Sequence, residues 1–281
     1  MQIGLRLHDA EKLPLEECLA KVKAQGFSCV HLALSKIPGL TADPDALTPG
    51  YAMYLRHAFE KAELDIAVLG NYLNLAHPDQ AKLKEIQHKY LAHLRFASLL
   101  GCSVVGTETG APNPEYHYDK EACHSKEALE IFIENLKPVV EYAEKCGVIL
   151  AIEPVYKHIV WNPERAREVL DRVASPNLQI IFDPVNLLHP DNLSRRSEAI
   201  REAIDLLGPD IAIIHLKDYV LTEVDKGELK AVGCGLGEMD YSMILKFAKE
   251  KKPYIQATLE NTTPTNAESC RRYIETKYEV V

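Results

Sequence analysis

Nowhere does the sequence string together the roughly 18 apolar residues that a membrane-crossing helix needs. Its opening, MQIGLRLHD, carries no basic leader followed by an apolar stretch. The expectation is a cytoplasmic protein with no membrane association. Seven cysteines (Cys18, Cys29, Cys102, Cys123, Cys146, Cys234 and Cys270) form no C-x-x-C pair and are odd in number. That excludes a zinc ribbon and a complete disulfide framework, and the thiols read as buried small hydrophobes. The first candidate strand is followed by LRLHDAEKL rather than G-x-G-x-x-G, so a dinucleotide-binding sheet lacks its fingerprint. There is no low-complexity tract, Pro/Ser-rich linker or shift in composition, which rules out disorder and marks no domain boundary. Positive charge is in deficit: the net charge of −9 works against a phosphate backbone as main partner, and nucleic-acid binding is not expected.

Against these absences stands a regular rhythm. Eight apolar runs of strand length occur at 2–7, 28–34, 65–71, 103–108, 148–153, 178–183, 211–216 and 254–260, each rich in Ile, Val, Leu or Ala. That is the composition of parallel strands covered on both faces. Amphipathic segments such as 14–27, 80–101 and 125–147 separate them, and Gly26, Gly101, Gly147 and Gly208 sit where helix C-caps are wanted. Strict alternation implies an α/β parallel sheet, either closed or doubly wound. Eight repeats over 281 residues, near the roughly 250 of a closed barrel, favour a single (β/α)8 TIM barrel occupying 1–281 as one domain. Two connections, about 34–49 and about 217–239, exceed ordinary barrel loops. Both follow strand C-termini, where a barrel keeps its active site, so they are expected to wall or lid a pocket. Alternation in YVLTEV and GELKAV suggests a hairpin within the second.

The strand ends carry the chemistry. Strand five ends AIEP with Glu153, strand six ends IFDP with Asp183, strand seven reads IIHLKD with His215, and strand eight ends ATLEN with Glu260. Adjacent strands lie about 4.8 Å apart, so these side chains can converge on one point at the mouth. Three unpaired carboxylates crowded together would repel, whereas one bound dication neutralises them. Three oxygens and one imidazole suit manganese first, with cobalt, magnesium or zinc also accommodated.

With these residues in place the chain resembles the xylose isomerase-like barrels, specifically the sugar phosphate isomerase/epimerase group. The resemblance spans essentially the whole chain and is carried by GLRLHD, AIEPV, FDPVN, HLKD, the segment GCGLGEMDY and the terminal LEN. It implies that Glu153, Asp183, His215 and Glu260 bind one divalent metal, with the two glutamates as the acid/base pair. Ketose 3-epimerases of the group usually show a histidine three residues beyond the strand-six aspartate, where this chain has Asn186, and a further glutamate that EPVYKHIVW lacks. Altered substrate contacts are therefore implied. Endonuclease IV, a relative with three zinc ions and a histidine-rich site, fits poorly, because the corresponding positions here offer Asn71, Asn74, Glu108 and Asn186.

Further candidates for substrate contact are Arg6 and His8 at the end of strand one, Glu108 within GTETG, His158 with Trp161 in the loop after Glu153, Asn186, and Lys217. For each a structural role competes: His8 as a satisfied histidine, Lys217 paired with Asp218 in solvent, His158 and Trp161 as loop packing. The glycines at 233, 235 and 237 read as a tight turn rather than a phosphate cradle, since the P-loop lysine is missing. The leading expectation is a metal-dependent isomerase or epimerase acting on a sugar or polyol-derived ketone through an enediolate. Alternatives are a lyase of the inosose-dehydratase or oxidised-glycoside-cleaving kind and a non-catalytic carbohydrate-binding barrel. The expected partner is a small sugar or polyol; assembly into a homo-oligomer is left open.

Overall fold

The computed structural model describes residues 1–221 and 229–281. Every expected barrel strand is found within about two residues of its predicted bounds: β1 (Gln2–Arg6), β2 (Cys29–Leu32), β3 (Asp65–Gly70), β4 (Val104–Glu108), β5 (Ile149–Glu153), β6 (Leu178–Phe182) and β7 (Ile211–Leu216). Next come β8 (Asp218–Leu221) and β9 (Leu229–Val232), an antiparallel ribbon outside the barrel. The eighth barrel strand is β10 (Gln256–Leu259). It pairs in parallel with both β7 and β1, closing the cylinder.

The ribbon bears out the hairpin expected after strand seven as far as its two arms. The remainder of that expectation, residues 222–228, lies outside the described residues. The other long connection folds into two 3-10 turns, Leu34–Lys36 and Pro44–Ala46, ahead of the second helix.

Helices α1 (Leu15–Ala24), α2 (Pro49–Lys61), α3 (Gln80–Leu100), α4 (Lys120–Cys123), α5 (Lys126–Cys146), α6 (Pro163–Val173), α7 (Arg196–Leu207), α8 (Ser242–Lys251) and α9 (Ala267–Val280) surround the strands. Their starts are written in the sequence. Asp79 accepts from Ala81 N at 2.8 Å and Lys82 N at 3.1 Å, and Ser125 accepts from Ala128 N at 3.1 Å; each satisfies amides that the first helical turn leaves open. Apolar spacing then fixes the buried face. In α5, Leu129, Phe132, Ile133, Leu136, Val140 and Ala143 recur at the helical period and all are buried.

Three of the four expected glycine stops, Gly26, Gly101 and Gly147, have positive φ. Gly208 does not: at φ −47 it remains helical and leads into a 3-10 turn. That turn carries Pro209, which holds its own φ near the helical value and lets the chain tighten instead of reversing hand. All seven cysteines are free, and only Cys146 is not fully buried.

Most of the core lies between strands and helices, in one cluster running from Ile3 to Ile274. A smaller cluster containing Cys29, Val68, Ala151, Ile181 and Ile213 fills the barrel itself. Loop 233–241 packs onto the ribbon so closely that a Cβ on Gly237 would overlap the Tyr219 carbonyl oxygen, which already accepts from Glu238 N at 3.0 Å. Gly237→Ala is expected to destabilise the fold by about 2–4 kcal/mol, read as a Tm several degrees lower. An unchanged Tm would show that the ribbon is not fixed by this contact.

Candidate metal centre

Side chains alternate along a strand, so residues two apart share a face. Ala151 and Ile213 belong to the barrel interior, which puts Glu153 above the first and His215, then Lys217, above the second. Ile181 places Asp183 inward likewise. Glu260 follows β10 and is held by its backbone N–H on Leu216 O at 3.0 Å. Glu153, Lys217 and Glu260 thus line one cavity of about 250 Å³ at the barrel mouth, and Asp183 and His215 lie buried beneath it against those three side chains. Two small residues make room for its rings. A Cβ on Gly70 would strike His31 Nε2, and one on Gly106 would come within 2.7 Å of both Ile181 and Val68.

All four predicted ligands are buried. Ligand atoms of Glu153, Asp183 and His215 lie within 4.8 Å of one another, and a second set, His31, His215 and Glu260, meets the same limit. His215 is common to both. Its Nδ1 lies 3.4 Å from Glu153 Oε2 and 3.3 Å from Glu260 Oε1. Lys217 Nζ is 2.7 Å from Asp183 Oδ2 and 3.1 Å from Glu260 Oε2, while Arg6 reaches Glu260 Oε2 at 3.4 Å. Asn186 Nδ2 donates to Glu153 Oε1 at 2.6 Å. Asp183 Oδ1 accepts from Val185 N and Asn186 N, which fixes the loop after β6.

The electrostatics follow from burial opposed by charge. Desolvation raises Asp183 to about 6, with Lys217 opposing it. Glu260 would also be raised by burial, but Lys217, His215 and Arg6 outweigh this and hold it ionised, below the usual carboxylate range. Burial disfavours the charged form of His215, yet Glu260 and Glu153 reverse the balance and lift it to about 9. Lys217, Arg6 and the imidazolium form of His215 are the cations that offset these three carboxylates when no metal is bound. A dication fits the same oxygens and imidazole by donor chemistry, and binding there requires His215 to release its proton. His215 Nε2 and both nitrogens of His31 are buried with no hydrogen-bond partner, unused donor capacity that the hydrogen bonding described here does not absorb.

Of the second-tier residues, Arg6, His8, Glu108, Asn186 and Lys217 all line this cavity. Lys217 is buried among carboxylates instead of pairing with Asp218 in solvent. Asp218 turns away, accepting from Tyr219 N, Gly235 N and Met239 N. That consumes amides of the glycine-rich segment and makes it the tight turn expected. Glu108 stands in register beside Glu153; burial raises its pKa, and the Tyr116 hydroxyl donates to it at 3.2 Å. His158 lies behind it, Nδ1 3.9 Å from Glu108 Oε2, and burial lowers it to about 4. Trp161 stacks on His124 at 4.6 Å.

Sequence reasoning missed four residues of the cavity: Ala33 and the polar His31, Tyr72 and Lys36. His31 was visible as the one polar residue in SCVHLAL after its opening Ser28, two places beyond inward-facing Cys29. Its ring stacks on His215 with centroids 5.3 Å apart. Tyr72 follows β3 and packs against His31 at 5.6 Å. Lys36 comes from the long connection after β2, which thereby contributes to the wall as expected.

A family model described as xylose isomerase-like TIM barrel matches residues 19–275. The chain is 27% identical over 139 residues to the probable L-ribulose-5-phosphate 3-epimerase UlaE of Mycoplasma pneumoniae, an alignment covering 49% of this chain and 41% of that protein. The chain therefore spans less than half the length of this curated relative. Among solved structures it resembles a D-tagatose 3-epimerase-like protein (TM-score 0.76, 20% identity, covering 100% of this chain and 98% of the other). It also resembles the IOLI protein with a bound zinc atom (TM-score 0.73, 19% identity, covering 99% and 96%).

Proposed function

The chain belongs to the xylose isomerase-like TIM barrel family, and on that premise we propose that it is a divalent-metal-dependent isomerase or epimerase of a sugar or polyol-derived ketone. The whole chain would act as one domain, in the cytoplasm, on a small-molecule substrate. The observation that carries this reading is the approach of Glu153 and Glu260 to one imidazole nitrogen, at 3.4 and 3.3 Å, from strands separated by β6 and β7. The epimerase relative and the zinc-binding structural neighbour support it.

Glu153, Asp183, His215 and Glu260 would hold one ion, manganese by preference. Such an ion would polarise a carbonyl and its neighbouring hydroxyl, acidifying the hydrogen on the carbon that bears that hydroxyl. The chain's own groups then move the proton. Glu260, kept ionised by Lys217 and Arg6 after His215 has released its proton, is fit to take it, giving an enediolate. Glu153, oriented by Asn186, enters the cycle carrying a proton drawn from solvent and donates it to the enediolate from the other side of the mouth, so inversion results and Glu260 passes its proton to solvent. Arg6 and Lys217 offer positive charge to the developing oxyanion.

A second reading, elimination, is favoured by Glu108. Its carboxyl lines the cavity in register beside Glu153, so it is placed to exchange a proton with a departing β-substituent. Product analysis separates the two.

The test is a screen of keto-sugars with manganese-loaded protein before and after chelation. Turnover should vanish with chelator and return with manganese. Turnover that survives complete removal of metal would overturn the proposal.

A further inference from the structure

Beside the metal centre lies a second cavity of about 360 Å³, within the size range of small-molecule sites. The two share Arg6, Asn186 and Lys217, so a ligand seated at the centre can extend into it. Its outer walls come from three connections at the barrel mouth: the loop after β5, the loop after β6 and arm β9 of the ribbon.

The character of the two cavities differs. The metal centre is lined by Glu108, Glu153 and Glu260, whereas no carboxylate lines the second among the described residues. Nor is it an anion site, because Arg6 and Lys217 direct their charge towards the metal centre. Arg6 makes two hydrogen bonds to Asp9 and lies near Glu260, and Lys217 is placed between Asp183 and Glu260. Lys157 also has a partner. What remains is mainly apolar and aromatic surface from Val155, Tyr156, Val185, Leu188 and Ala231, edged by the amides of Asn186 and Asn261 and the imidazole of His189.

This surface is preorganised. The Tyr156 ring stacks on His189 at 4.2 Å with an interplanar angle of 6°, and its hydroxyl donates to Asp191 at 2.9 Å. Tyr156 N donates to Asn186 O at 2.8 Å, tying two of the walls together. Asn261 holds φ +55, a left-handed backbone that asparagine tolerates better than most residues and that clusters at ligand sites. Apolar faces with a few fixed amides suit a hydroxylated or aromatic ring.

Resting on the reading above, we infer that the substrate is a glycoside: the reacting sugar sits at the metal centre and an uncharged ring, either a second sugar or an aglycone, fills the adjoining cavity. A free or phosphorylated monosaccharide would leave that surface unused.

The experiment measures binding to manganese-loaded protein by calorimetry for four probes: glucose, glucose 6-phosphate, cellobiose and p-nitrophenyl β-D-glucoside, with the galactose counterparts in parallel. At least one glycoside is expected to bind about tenfold or more tightly than its monosaccharide, as burying one ring face implies. Which of the disaccharide and the aryl glycoside gains more identifies the second ring. Ala231→Trp, on the ribbon and away from the metal ligands, should abolish that gain while leaving glucose affinity and manganese content unchanged. Equal affinities across a series, tightest binding of glucose 6-phosphate, or a gain that survives Ala231→Trp would overturn the subsite and leave the sugar reading standing. Failure of every probe to bind protein that holds its manganese would likewise overturn the subsite, and the keto-sugar screen above decides the sugar reading separately.

Discussion

Glu153→Gln and Glu260→Gln are each expected to slow turnover by about 10²–10⁴-fold, the usual contribution of a positioned general acid or base. The amide keeps the shape of the side chain and one oxygen that can still face a cation, but it can neither accept nor return a proton. The two losses should differ in kind. Glu260 receives Lys217 at 3.1 Å and Arg6 at 3.4 Å; its neutralisation leaves buried Lys217 and partly buried Arg6 undercompensated, so a fall in stability should accompany the fall in rate. Glu153 is held by Asn186 at 2.6 Å, and a glutamine there keeps its oxygen for that hydrogen bond. Because its ion-pair partner among the described residues is His215, at 3.4 Å, its rate should drop with a smaller change in Tm than Glu260→Gln shows. Steady-state kinetics with thermal unfolding on both variants checks this, and near-normal kcat in both would contradict the base roles.

The second large effect concerns Asp183. Its Oδ1 is committed to Val185 N and Asn186 N, while Oδ2 faces Lys217 at 2.7 Å. Removing a carboxylate from a small donor set weakens a dication far more than it weakens packing. Asp183→Ala is expected to lower bound metal from about one equivalent per chain to a small fraction after dialysis, as loss of a charged ligand implies. Because cutting one partner from a buried ion pair can cost about 3–5 kcal/mol, Asp183→Asn serves as the isosteric companion. It should fold, keep its loop hydrogen bonds and still lose metal. Retention of a full equivalent in folded Asp183→Asn would exclude this carboxylate from the centre.

The barrel was legible because its signals are local and repeated. Eight apolar runs, glycines at helix ends and capping residues such as Asp79 and Ser125 each act over a few residues. Gly208 broke the pattern for an equally local reason, the proline that follows it. The carboxylates and His215 were legible because a strand end has only one place to go in a closed barrel. His31 was not, since it lies inside an apolar run, and whether such a residue faces the interior depends on strand phase set by tertiary pairing. The roles of Lys217 and Asp218 needed three dimensions as well. Adjacent in sequence and opposite in charge, they look like a solvent pair, yet they point to opposite environments: one into the carboxylates, the other onto the amides of Gly235 and Met239.

Proton exchange between substrate carbon and solvent, mediated by Glu153 and Glu260, is the central claim. The most direct measurement is turnover of an identified keto-sugar in deuterium oxide by manganese-loaded protein, with product examined by NMR and mass spectrometry. A proton carried on a carboxylate exchanges with solvent between removal and return, so deuterium should appear on the reacting carbon. Product formed with no solvent deuterium at that carbon would contradict the account and point to a hydride shift or to hydrolysis.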